Sequence, residues 1–118
     1  MQDFEVRAQS RHIRQSAHKV RLVADHVRGM DAVQAMGVLN LMTQRAAGSV
    51  SKLIKSAVSN AENNYGMAGE DLYIAHISVD EGPTRRWRRF GARGRFKPIL
   101  KRSSHVSVVL LERTPTEF

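Results

Sequence analysis

The stretch TRRWRRFGARGRFKPILKRSSH, residues 84–105, sets the tightest limit on how this chain can fold. It carries nine cations and no acid: Arg85, Arg86, Arg88, Arg89, Arg93, Arg95, Lys97, Lys101 and Arg102. Like charges at this density repel one another, so the segment cannot join an apolar core, and a polyanionic partner is the first candidate to hold it. The chain of 118 residues has 19 Lys and Arg against 11 Asp and Glu; removing these nine leaves ten bases against eleven acids, a net −1 elsewhere. A near-neutral body with one cationic segment points to a localised anion-binding element rather than a generally basic surface.

The rest reads as one ordinary domain over residues 1–118, long enough for a single core. Phe4, Val6 and Ala8 alternate with polar residues, the period of a first strand. Val20, Val23, Ala24 and Val27 share one helical face, with Ser16 placed to cap the start and Gly29 to end the helix. Asp31 and Gln34 have capping-box spacing for a second helix to about Asn40, with Val33, Met36 and Leu39 as its apolar positions. A long third helix follows, carrying Ala46, Ala47, Val50, Leu53, Ile54, Ala57, Val58 and Ala61 and closed by Gly66. Gly48 inside it costs roughly 1 kcal/mol relative to Ala, which close approach of another element would offset.

Two further strands are expected, one with Tyr73, Ala75, Ile77 and Val79 on a face and one with Val106, Val108 and Leu110. They flank the basic stretch. The simplest topology is therefore an antiparallel hairpin whose base joins the sheet and whose middle is the cationic segment, reversing near Gly91 and Gly94. An arm of about eleven residues at ~3.3 Å each reaches ~35 Å, beyond the ~13 to 14 Å radius of gyration of such a domain, so the arm must leave the globule. The fold class is α/β in the α+β sense: three helices on a small three-stranded antiparallel sheet, with a long hairpin arm over residues 84–105.

The chemistry of the arm is that of RNA recognition. Trp87, Phe90 and Phe96 sit between arginines, and Arg outnumbers Lys seven to two. Guanidinium groups bind phosphates through paired hydrogen bonds and stack on bases, and aromatic rings offer stacking surfaces. Other readings are weaker. Asp80 and Glu81 lack the converging acids that a two-metal nuclease needs, and His12, His18, His26, His76 and His105 form no i, i+4 ligand pair. A helix-turn-helix reading fails because DAVQAMGVLN carries no Lys or Arg to read a groove. With no cysteine, thiolate metal sites and disulfides are excluded, which suits the cytosol. MQDFEVRAQSR has no apolar signal core, and no window is long and apolar enough to span a bilayer, so no membrane role is expected.

Three stretches carry a resemblance: SAHKVRLVADHVRG at residues 16–29, SAVSNAENNYG at 56–66, and VDEGPTRRWRRFGARGRFKPILKRSSHVSVVL at 79–110. Together they resemble the family of ribosomal protein twenty-two of the bacterial large subunit, in the family's order along nearly the whole chain. The resemblance implies a non-enzymatic protein seated on large-subunit rRNA beside neighbouring ribosomal proteins. It would need no cofactor, would form no homo-oligomer and would help assembly. It implies RNA contacts at Lys19, Arg21, Arg85, Arg86, Arg88, Arg89, Arg93, Arg95, Lys101 and Arg102, and Arg11, Arg14, Trp87 and Lys97 are expected to join them. A hairpin tip of Arg88, Arg89, Phe90, Gly91, Ala92, Arg93, Gly94 and Arg95 would line the nascent-peptide exit tunnel, near where macrolides act. The sequence departs from the family's usual residues at Ala17, His18, Phe90, Gly91 and Phe96. A free RNA-binding assembly factor or chaperone using the same arm is the alternative.

Overall fold

The computed structural model describes residues 5–90, 94 and 96–112. In chain order the elements are β1 (Val6–Ile13), α1 (Ala17–Val27), α2 (Ala32–Leu41), α3 (Arg45–Tyr65), a 3-10 turn (Gly69–Asp71), β2 (Leu72–Glu81), β3 (Arg85–Phe90), β4 (Phe96–Lys101) and β5 (Ser104–Glu112). The three-stranded antiparallel sheet runs β1-β5-β2, and β3 and β4 form a separate two-stranded ribbon. This is the expected α+β arrangement with an extended hairpin.

Central strand β5 buries Val106, Val108 and Leu110 completely, the face expected from alternation. Against it lies α3, whose eight expected apolar residues are all buried. Helix α3 ends where Gly66 turns left-handed at φ 63, and the Met67 N–H donates to the Ala61 carbonyl at 3.2 Å. Helix α1 buries Val20, Val23, Ala24 and Val27 as expected. Ser16 is its N-cap residue, though its side chain makes no capping bond. Gly29 follows the C-cap and its N–H donates to the Ile74 carbonyl at 3.0 Å, while Ile74 donates to the Met30 carbonyl at 2.9 Å, so the α1–α2 turn is tied to β2.

Four expectations are corrected. The inward face of β2 is Leu72, Ile74, Ile77 and Val79, because a register shift between Ile74 and His76 changes the parity of the strand; Tyr73 and Ala75 are only half-buried. Helix α2 buries Ala32, Ala35 and Leu39, leaving Val33 52% exposed and Met36 at the margin of the core. The helix is nearly apolar all round, so its pattern does not define a phase. Asp31 is its N-cap residue but makes no side-chain capping bond, so the capping box is not formed. Gly48 is exposed, and a methyl group placed there would meet nothing within 4 Å, so no element approaches it. The first strand extends to Ile13, and Phe4 lies outside the described residues.

Two glycines of α3 should therefore respond oppositely to the same change. Gly48→Ala is expected to stabilise by about 0.5 to 1 kcal/mol, since an exposed helix interior favours Ala. Gly66→Ala is expected to destabilise by about 1 kcal/mol, since the left-handed conformation crowds a Cβ. Urea midpoints of the two variants check both signs.

Candidate nucleic-acid interface

The ribbon is held in register from Arg85 opposite Lys101 to Phe90 opposite Phe96. Reversal falls between those two phenylalanines, as expected, and Gly94 there adopts φ 71, a conformation that glycine reaches without steric cost. Of the expected tip residues, Gly91, Ala92, Arg93 and Arg95 lie outside the described residues. Arg85 faces Lys101 and Arg89 faces Lys97 in register, while Arg86, Trp87 and Arg88 pair with Leu100, Ile99 and Pro98. Like charges directly opposite each other destabilise a ladder, and an isolated two-stranded ribbon is marginal in water. The sequence at these rungs works against the ribbon unless an anion neutralises it.

The arm projects far from the body. The molecule measures 73 × 26 × 20 Å with a radius of gyration of 17.8 Å. A compact domain of this length would have about 13 to 14 Å, so the excess is the arm.

At the arm's root the chain gathers most of the cations expected outside it. Ile13, the last residue of β1, pairs with Ser104, the first of β5, so exposed Arg11 and Arg14 stand beside the root. A cleft of about 210 Å³ is lined by Ser16, Ala17 and His18 of the α1 start, Glu81, Gly82 and Thr84 from the outgoing strand, and Arg102 and Ser103 from the returning one. Lys19, in the first turn of α1, is exposed next to it, as are Arg85, Lys101 and Arg102 along the arm's base. No acid occupies the first turn of α1, where carboxylates ordinarily favour the helix dipole; His18 and Lys19 sit there instead. Helix start, β1 end and arm base thus bring exposed cations together at the root of the ribbon, and Glu81 is the acid among the residues that line the cleft there.

Arg21 is placed differently. Its Nε and Nη2 donate to the Val79 carbonyl at 3.2 and 3.0 Å, and Arg28 donates to the Ile77 carbonyl at 2.9 Å while pairing with Asp25 at 2.6 Å. Both guanidinium groups cover the outer edge of β2, which would otherwise offer open carbonyls to another strand. Arg21 keeps donors for a further partner, but part of its role is structural.

Sequence reasoning missed His12 and His105. The His12 N–H donates to His105 Nδ1 at 3.0 Å, and the rings meet edge to face at 4.9 Å. Ninety-three positions separate them, and neither local spacing nor composition marks the pair. Asp80 lies opposite His105 in register. No helix among the described residues is long and apolar enough to cross a membrane.

The sequence model of the family described as ribosomal protein L22p/L17e matches residues 8–111, nearly the full chain and including the whole hairpin. The three helices and the arm fall within that match, as does the antiparallel sheet apart from Val6 and Arg7 at the start of β1 and Glu112 at the end of β5. The chain therefore belongs to the ribosomal protein L22p/L17e family, which is a family of structural ribosomal proteins and not of enzymes.

Proposed function

We propose that this chain is a structural constituent of the large ribosomal subunit that binds its rRNA at the globule and carries the arm into the interior. The observation that supports this most directly is a molecule 73 Å long whose projecting arm opposes like-charged residues in register. Rungs of this kind are stable against a phosphate-rich partner, since arginine and lysine on both strands then neutralise crowded backbone. The cationic surface around Arg11, Arg14, Lys19, Arg85 and Arg102 anchors the root, and Arg86, Trp87, Arg88, Arg89 and Lys97 continue the contact along the ribbon. Arg21 contributes whatever donors the Val79 carbonyl leaves open.

In this reading the reversal between Phe90 and Phe96, including Gly91, Ala92, Arg93, Gly94 and Arg95, travels farthest and faces the exit tunnel, where nascent peptide passes. Bridging of separate rRNA segments is how the arm would aid assembly, and neighbouring ribosomal proteins would meet the globule at the subunit surface.

The division between root and tip is testable. Arg102→Ala is expected to impair incorporation into large subunits, read by quantitative mass spectrometry of sedimented particles. Arg93→Ala, or deletion of residues 88–90, is expected to preserve occupancy while altering peptide passage or macrolide-dependent growth. Equal loss of occupancy from both, with no separate effect on translation, would reject the tunnel role and leave a uniformly anchoring arm. Release of the wild-type protein from large subunits in a high-salt wash would favour a free assembly factor.

A further inference from the structure

Three chain segments converge on one imidazole where the arm leaves the sheet. In β1 the register with β5 shifts between Ser10 and Ile13, and within that shift His12 takes φ 59, the only left-handed residue other than glycine among those described. The left-handed region crowds the Cβ of an L-residue against its own backbone, so something must hold His12 there. The irregularity turns the His12 N–H towards His105 Nδ1, which accepts it at 3.0 Å, and the two rings lock edge to face. On the opposite flank, Gly82 packs so closely that a Cβ there would lie 3.1 and 3.2 Å from His105 Cε1 and Nε2 and 2.5 Å from Ser103 Oγ. The Gly82 N–H donates to the Ser103 carbonyl at 2.9 Å, and Ser103 Oγ donates to the Pro83 carbonyl at 2.8 Å. Gly82, Pro83 and Thr84 join β2 to β3, and Arg102 and Ser103 join β4 to β5. These are the two links on which the whole arm turns.

We propose that His105 is the positioning residue that aims the arm, and that it does so in its neutral form, as acceptor of the His12 N–H. The inference rests on the proposed role of the arm, since only an arm with a fixed destination gains from being aimed. It extends that role to a residue that touches no ligand. The chemistry follows from the acceptor: Nδ1 accepts a hydrogen bond only while it carries no proton, so protonation of His105 removes the bond and sets two N–H dipoles against each other. The charged and titratable groups on the elements around the imidazole are Asp80, opposite on β2, and Glu81 beside it, Arg11 and His12 on β1, Arg102 in the returning link and His18 at the start of α1.

The chain has no cysteine, so Ser56→Cys on the exposed side of α3 and Leu100→Cys on β4 give a clean spin-label pair in the full-length, RNA-free protein. The measured quantity is the width of the distance distribution between body and arm. His105→Leu is expected to broaden it about twofold, as a released root samples more orientations. His105→Asn places its Oδ1 near the position of Nδ1 and should restore the narrow width, whereas His105→Gln carries its acceptor one bond farther out and should not. Acidification from about pH 8 to about pH 5 should broaden the wild-type distribution and leave the Asn variant unchanged. A width in His105→Leu equal to wild type, or acid broadening that persists in His105→Asn, would overturn the proposal. If His105→Leu fails to fold by circular dichroism, the contrast between wild type and His105→Asn with pH decides alone. Because no RNA is present, these outcomes are independent of the rRNA role: a protein that fails to bind rRNA yet shows the acid-sensitive width would refute that role and leave the latch standing.

Discussion

Raising salt from about 50 to about 200 mM is expected to weaken binding of the free protein to isolated large-subunit rRNA by roughly 10² to 10³. The expectation follows from the ribbon. Arg85, Arg86, Arg88, Arg89, Lys97 and Lys101 all lie on its two strands, and Arg102 follows immediately. If about six of the nine arm cations meet phosphates, counterion release gives a slope of log K against log salt of about −4 to −5. Replacing Arg85, Arg88 and Arg102 together by Gln should make that slope shallower by about 2 to 3 while keeping hydrogen-bonding capacity at each position. Filter binding across a salt series measures both values. A wild-type slope near zero would end the phosphate account, and an unchanged slope in the triple variant would move the contacts off the arm and onto the globule.

The parts of this fold that sequence made legible are those where one physical rule acts alone. The eight buried residues of α3 repeat at helical spacing against polar neighbours, so both the helix and its face could be read, and Gly66 marked its end. In β5 strict alternation pointed to Val106, Val108 and Leu110. The failures have causes as definite. The extra residue at Ala75 of β2 shifts the inward set from the even positions Leu72 and Ile74 to the odd positions Ile77 and Val79, and no local signal announces such a bulge. Helix α2 has no charged residue to oppose its apolar face, so Val33 and Ala32 were indistinguishable by pattern. Gly48 looked like a contact point, but it is open surface.

The interface divides similarly. Its cations were legible because charge of one sign over 22 residues needs no structure to be noticed. That Arg11 and Arg14 at the end of β1 stand near the arm's root, where Arg102 lines the cleft, depends on β1 pairing with the start of β5, a long-range contact. Local sequence also could not show that Arg21 and Arg28 cover the edge of β2, because their acceptors are backbone carbonyls 58 and 49 positions away. The His12–His105 contact is the extreme case, since the donor is a main-chain N–H freed by an irregular strand and any residue type has one.

Excising the arm and truncating the core should separate function from stability by a wide margin. Replacing residues 85–101 with a short Gly-containing turn, while keeping residues 82–84 and 102–105 for the root contacts, is expected to shift the thermal midpoint by only a few degrees. The arm's strands pair with each other, whereas the core is built by α1, α2, α3, β1, β2 and β5. Removing like-charged rungs also removes repulsion, which works in the same direction. Ile54→Ala is the opposite case. Ile54 is wholly buried in the middle of α3, and deleting most of its side chain leaves a cavity beneath the sheet. The expected cost is about 2 to 5 kcal/mol, a fall in midpoint on the order of 10 °C for a domain of this size. The RNA readout should reverse: the arm-excised protein should lose most salt-sensitive affinity, and folded Ile54→Ala protein measured below its midpoint should keep it. Circular dichroism melts beside filter binding give all four numbers. Collapse of the helical signal on arm excision would mean that the ribbon packs on the core and supports the fold, and the partition between a self-sufficient body and a partner-dependent arm would have to be abandoned.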